Sequence, residues 1–71
     1  MKVVAIGEPE RTRGYALAGV EVIGAGDAVA ALQAWQQLED DVGLVLLTRS
    51  ARAALGTDLD GAGRLWLELP H

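Results

Sequence analysis

Two short, unbroken apolar runs constrain this chain more than any other feature. Val3 to Ile6 is continuous and stops at Gly7, and Leu44-Val45-Leu46-Leu47 forms the unbroken part of a run that begins at Val42. Both are too short for helices and show no polar face. Runs of this kind are strands buried on both sides, which is the habit of parallel sheets. Two weaker candidates flank them. Val20 to Ile23 is β-branched but contains Glu21, and Leu65 to Leu69 alternates, so each reads as an edge strand.

The intervening segments carry helix signals. Pro9 suits a first helical turn, and Gly19 suits a left-handed stop after the first helix. Asp27 is a good N-cap for a second helix whose apolar stripe is Ala28, Ala31, Leu32, Trp35 and Leu38. That helix runs into Glu39-Asp40-Asp41, negative charge placed where the helix dipole disfavours it, so its end is expected to fray. A third helix is predicted from a serine cap at Ser50 to about Asp60, interrupted at Gly56. The resulting order is β-α-β-α-β-α-β, which implies a parallel sheet with right-handed crossovers.

Length supports a single domain, residues 1–71. A chain of 71 residues, 51% of them hydrophobic, can form one core but holds little stability in reserve. Small domains often add disulfides, a metal or a partner. Here there is no cysteine, and the lone histidine is the terminal His71. Zinc, other metals and cofactors are therefore not expected, whereas self-association or docking is. The net charge of −4, from ten acidic and six basic residues, argues against a nucleic-acid partner. The opening Met1-Lys2-Val3-Val4-Ala5-Ile6-Gly7 is too short for a secretory leader core or a membrane span. A cytoplasmic protein is expected, one able to sit peripherally on the cytoplasmic side of a membrane complex without inserting.

Catalytic signals are absent. No nucleophile has a usable histidine, and no metal-ligand motif or phosphate loop occurs. Gly24-Ala25-Gly26 follows the second strand and lacks the third glycine of a dinucleotide fingerprint. A phospho-accepting domain would carry an aspartate after the third strand, where Thr48 stands, and only Glu8 follows the first. No enzyme is expected.

The charges that draw attention are Arg11, Arg13, Arg49 and Arg52, at or near the starts of the first and third helices, where positive charge is mildly unfavourable. Those starts follow strands one and three. Where these strands are neighbours, the crevice between their carboxyl ends is the usual ligand site. One reading is therefore an anion or acidic-partner site, which would suit a small-ligand or anion sensor; the other is a set of independent solvated side chains.

The sequence also resembles a family. Lys2-Val3-Val4-Ala5-Ile6-Gly7 followed by Gly14-Tyr15-Ala16-Leu17-Ala18-Gly19-Val20 looks like the amino-terminal pattern of the F-subunit family of V-type/A-type ATPases. Asp40-Asp41-Val42-Gly43-Leu44-Val45-Leu46-Leu47-Thr48 is similar to its third strand and approach, and Leu65-Trp66-Leu67-Glu68-Leu69-Pro70 to its fourth strand and following proline. The resemblance implies a flavodoxin-like three-layer α/β domain with strand order 2-1-3-4 and three helices. It implies a non-catalytic central-stalk (rotor) component of a proton- or sodium-translocating ATPase, docked on a D-like coiled-coil stalk subunit. Two departures stand out. The third helix region is trimmed and rich in glycine (Gly56, Gly61, Gly63), and the sequence ends at His71 where the family continues into a further helix.

With that order and right-handed crossovers, the first helix covers one face of the sheet and the other two cover the opposite face. Strands three and four then lack a cover on the first face. The expectation is that Leu65, Leu67 and Leu69 meet the two helices. Trp66 and Glu68 would then point to the open face, as anchors for a partner or a second copy.

Overall fold

The computed structural model describes residues 2–16, 19–60 and 63–70. Four strands form one all-parallel sheet: β1 (Lys2–Gly7), β2 (Glu21–Gly24), β3 (Val42–Leu47) and β4 (Leu65–Glu68). Their order is β2-β1-β3-β4, so β2 and β4 are the edges and the two continuous apolar runs lie in the middle. Three helices connect them: α1 (Pro9–Ala16), α2 (Ala28–Gln36) and α3 (Arg49–Leu55), the last followed by a 3₁₀ turn at Gly56–Leu59. This is the flavodoxin-like architecture expected from the sequence.

The local reasons are visible at the helix ends. Gly19 has φ of +84°, and its N–H bonds Ala16 O while Val20 N–H reaches back to Tyr15 O. That bond pair closes a helix through a glycine. Asp27 caps α2, its side chain accepting from Ala30 N at 2.8 Å. The helix then stops at Gln36, ahead of the acidic run rather than within it. The acids lie in a turn below the sheet, where Lys2 Nζ comes within 3.8 Å of Glu39 and 3.5 Å of Glu21. Asp41 first, then Glu21 and Glu39, raise the Lys2 ammonium pKa. Arg64 closes the same end, donating to the carbonyls of Glu39 and Val42.

One cap differs from expectation. The cap of α3 is Thr48, whose Oγ1 accepts from Ala51 N at 3.3 Å, rather than Ser50. Helix α3 therefore begins one residue after the sheet ends, and Gly56 terminates it early.

Register decides which side chains share a face. Val4, Val45 and Trp66 are aligned across three strands, as are Ile6 and Leu47, with Glu68 beside Leu47. This face packs against α2 and α3. Val4, Ile6, Val45 and Leu47 are fully buried there, in one core with Ala31, Ala34, Trp35, Ala51, Leu55 and Leu59. The opposite face carries Val3, Ala5, Leu44, Leu46, Leu65 and Leu67. Helix α1 lies over its β1–β2 half, with Pro9 against the open side of Gly24. Ala5 and Thr12 are buried there.

Over the β3–β4 half of that face there is no helix among the described residues. The expectation of a missing cover holds, but the expected orientation of β4 is reversed. Trp66 packs against the buried core beneath α3, and Glu68 joins it on the helix side. Leu65 and Leu67 stand on the open face, 70% and 57% exposed. The physical reason lies in pairing: Trp66 must follow Val45, which is committed to the α2–α3 side. A parallel partner residue points the same way.

Candidate functional site

Two features adjoin at the carboxyl ends of the strands: a latch that closes the sheet's switch point, and a cleft that opens onto the uncovered face. The latch begins with Gly7, the last residue of β1. A Cβ there would collide with the Thr48 side chain, so glycine lets the ends of β1 and β3 approach closely. Thr48 Oγ1 then donates to Glu8 at 2.7 Å while accepting from Ala51 N. Glu8 Oε2 also faces Arg11 Nε at 3.3 Å. The Thr48 hydrogen bond, with Glu8's own backbone N–H and the Arg11 charge behind it, holds the Glu8 carboxyl below its ordinary pKa. Thr12 Oγ1 donates to Glu8 O at 3.1 Å, tying α1 to the same point. The crevice where parallel α/β sheets bind ligands is thus occupied by the protein's own Glu8–Thr48 pair.

Beside the latch is a cleft of about 310 Å³ lined by Glu10, Arg11, Tyr15, Thr48, Arg49, Leu69 and Pro70. It sits on the α1 side. Leu69 continues the pairing of β4 through its N–H to Leu47 O at 2.7 Å, so the leucine row of β4 runs directly into the cleft. On the other side of the latch lies a groove of about 450 Å³ between the starts of α2 and α3, walled by Ala28, Ala31, Ala53 and Ala54. Its two carboxylates are already engaged, Glu8 with Thr48 and Asp27 with Ala30 N.

The residues singled out in the sequence fall into two groups that share Arg49, with Arg13 apart. Arg11 and Arg49 line the same cleft, as adjacency of strands one and three requires. Arg49, Arg52, Trp66 and Glu68 form a cluster at the α3–β4 edge. Glu68 lies 3.6 Å from Arg52 Nε and 4.0 Å from Arg49 Nε, and the Arg52 guanidinium stacks 5.8 Å from the Trp66 ring centroid. Trp66 is therefore a covered structural side chain with a cation over it, not an exposed anchor. Arg13 belongs to neither group. At about 100° per residue it stands far around α1 from Arg11, and among the described residues it makes no ion pair.

The residues missed by sequence reasoning are the leucines of the open face. Leu44, Leu46, Leu65 and Leu67 form an apolar floor two strands wide, bordered by Val3 of β1, and Tyr15 and Leu69 extend it to the cleft. The signal was present in Arg49 and Arg52, three residues apart on α3. An acid on the helix side of β4 could pair with both, as Glu68 does.

Among the described residues no three His, Cys, Asp or Glu side chains are grouped to hold a metal, and no helix is long and apolar enough to cross a membrane. No protein-family model matches the sequence, and no curated protein matches it.

Proposed function

We propose that the chain is a non-catalytic docking domain that binds a partner protein through the leucine face of β3 and β4, in the manner of a central-stalk component bound to the coiled-coil stalk of a V/A-type ATPase. The observation that carries this reading is the exposure of Leu65 and Leu67 on one contiguous apolar face of the sheet. An apolar face of a parallel sheet is normally covered, and contiguous exposed apolar patches mark interaction sites. The chemistry of the chain agrees, since its only histidine is His71 and its strand-end crevice is filled by a structural hydrogen bond.

The resemblance to the F-subunit family supplies the kind of partner. The test is co-expression with a coiled-coil stalk subunit. Wild-type chain is expected to co-purify with it, and Leu65→Asp/Leu67→Asp is expected not to. Failure of the wild type to bind the coiled coil removes the stalk assignment.

A second reading, a small-anion sensor, rests on the cleft between Arg11 and Arg49. Carboxylates oppose these charges: Glu8 faces Arg11, and Glu68 faces Arg49 and Arg52. The docking reading therefore takes precedence. A thermal shift with phosphate or citrate that disappears in Arg49→Ala would reverse that order.

A further inference from the structure

We infer that the occupant of the open face is a single amphipathic helix of a partner protein, laid beside α1, with an acidic side chain at the end that reaches Arg49. The inference rests on the docking reading and adds the shape and charge of what docks. Three observations carry it.

The first is width. The uncovered floor spans two strands, β3 and β4. At about 4.8 Å per strand this makes a slot roughly 10 Å across, the diameter of one helix. Helix α1 already stands on the neighbouring half of the same face and forms one wall. Its flank toward the slot carries Arg11 and Tyr15, one helical turn apart, both at the cleft.

The second is the type of sheet. All four strands are parallel. Sheets of this kind are covered by helices on both faces and seldom stack on another sheet. A second copy placed sheet to sheet would need that rarer packing. A second copy seated through its own α1 would press Glu10, Arg11 and Arg13 into the leucines.

The third is length and charge. From Leu65 to Leu69 the apolar row covers about 13 Å at ~3.3 Å per residue, which a helix spans in about nine residues. That accommodates three apolar contacts at positions i, i+3 or i+4, and i+7. At the cleft end stands Arg49, 69% exposed in its side chain. Its carboxylate, Glu68, is shared with Arg52 and lies nearer to Arg52 (3.6 Å against 4.0 Å). Arg49 thus meets a carboxylate only at 4.0 Å and keeps an exposed guanidinium at the mouth of a cleft that Glu10 and Arg11 also line, and an acidic residue at that end of the docked helix complements it.

The experiment uses the whole chain, labelled with ¹⁵N, and two stapled peptides of about 12 residues, ~18 Å long as helices. Both carry a leucine stripe; one ends in glutamates and the other in lysines. The inference predicts saturable shifts at Leu44, Leu46, Leu65, Leu67 and Tyr15. It predicts that the acidic peptide binds about two- to fivefold tighter, the range of an exposed ion pair. The preference should vanish in Arg49→Ala, which alters an exposed side chain. Equal binding of the two peptides, a preference that survives Arg49→Ala, or shifts that miss the leucines overturns the inference. Dimerisation that protects the same leucines and excludes both peptides overturns the helix while leaving the face a docking surface. Leucines that respond to neither peptide, to a second copy, nor to a coiled-coil stalk protein remove the docking reading as well.

Discussion

Leu47 and Leu67 sit on neighbouring strands of the same half-sheet and meet opposite fates. Leu47 is fully buried under α2 and α3, whereas Leu67, on the other face, is 57% exposed. The chemistry of the side chains is identical, so only the layer above them differs. On one face, two crossovers have delivered α2 and α3 over β1, β3 and β4. On the other, α1 covers β1 and β2, and among the described residues no helix lies over β3 and β4. A leucine in the first layer holds the fold together; a leucine in the second is available for another molecule.

Breaking the comparison requires substituting both layers in the same way. Leu47→Ala removes a fully buried side chain and should cost about 2–5 kcal/mol in urea unfolding, a large share of the stability of so small a domain. Leu67→Ala should change stability by less than about 0.5 kcal/mol. A comparable loss from both would show that the open face is closed in solution.

Gly7→Ala sharpens the contrast at the junction of the layers. The added methyl meets the Thr48 side chain, so the ends of β1 and β3 must separate. The expected cost is about 1–3 kcal/mol, the range for overpacking, read as a fall in the thermal midpoint.

Thr48→Val keeps the shape of the latch and removes its hydroxyl. The variant loses the bond to Glu8 and the cap on Ala51, an expected cost of about 1–2 kcal/mol at neutral pH. The pH dependence follows from Glu8. Its folded-state pKa is depressed below the ordinary 4.5, chiefly by the Thr48 bond. The stability it contributes is therefore complete above that value and is lost as pH falls below it through the folded pKa. Acid titration of stability should show this loss in the wild type and a smaller one in Thr48→Val.

The alternation of strands and helices, the burial of Val4, Ile6, Val45 and Leu47, and the role of Trp35 were legible in the residues themselves, whereas the strand order came only as what the resemblance to the F-subunit family implies. Unbroken apolar runs separated by capped helical segments leave few alternatives. The facing of β4 was not. Alternation in Leu65-Trp66-Leu67-Glu68 separates two faces but does not say which one meets the helices. Three leucines looked more like core than a tryptophan and a glutamate. The choice was made by register, because Trp66 follows Val45, and by charge, because Glu68 answers Arg49 and Arg52 across the α3 edge. Neither is visible along a single strand. The cap of α3 was misplaced at Ser50 for a simpler reason: Thr48 carries the same hydroxyl two residues earlier, and it is Thr48 that accepts from Ala51 N and bonds Glu8. The cleft was legible in part, since two arginines after strands one and three must converge when those strands are adjacent. Their neutralisation by Glu8 and Glu68 was not.

The central claim is that the leucines of β4 serve binding and not folding. Affinity for a coiled-coil stalk protein, measured by calorimetry for wild type and for Leu65→Gln/Leu67→Gln alongside the urea midpoint of each, tests it most directly. The account predicts that binding falls by at least about tenfold, roughly 1.4 kcal/mol, while the urea midpoint stays unchanged. Unaltered affinity, or a midpoint that falls with it, would contradict the account.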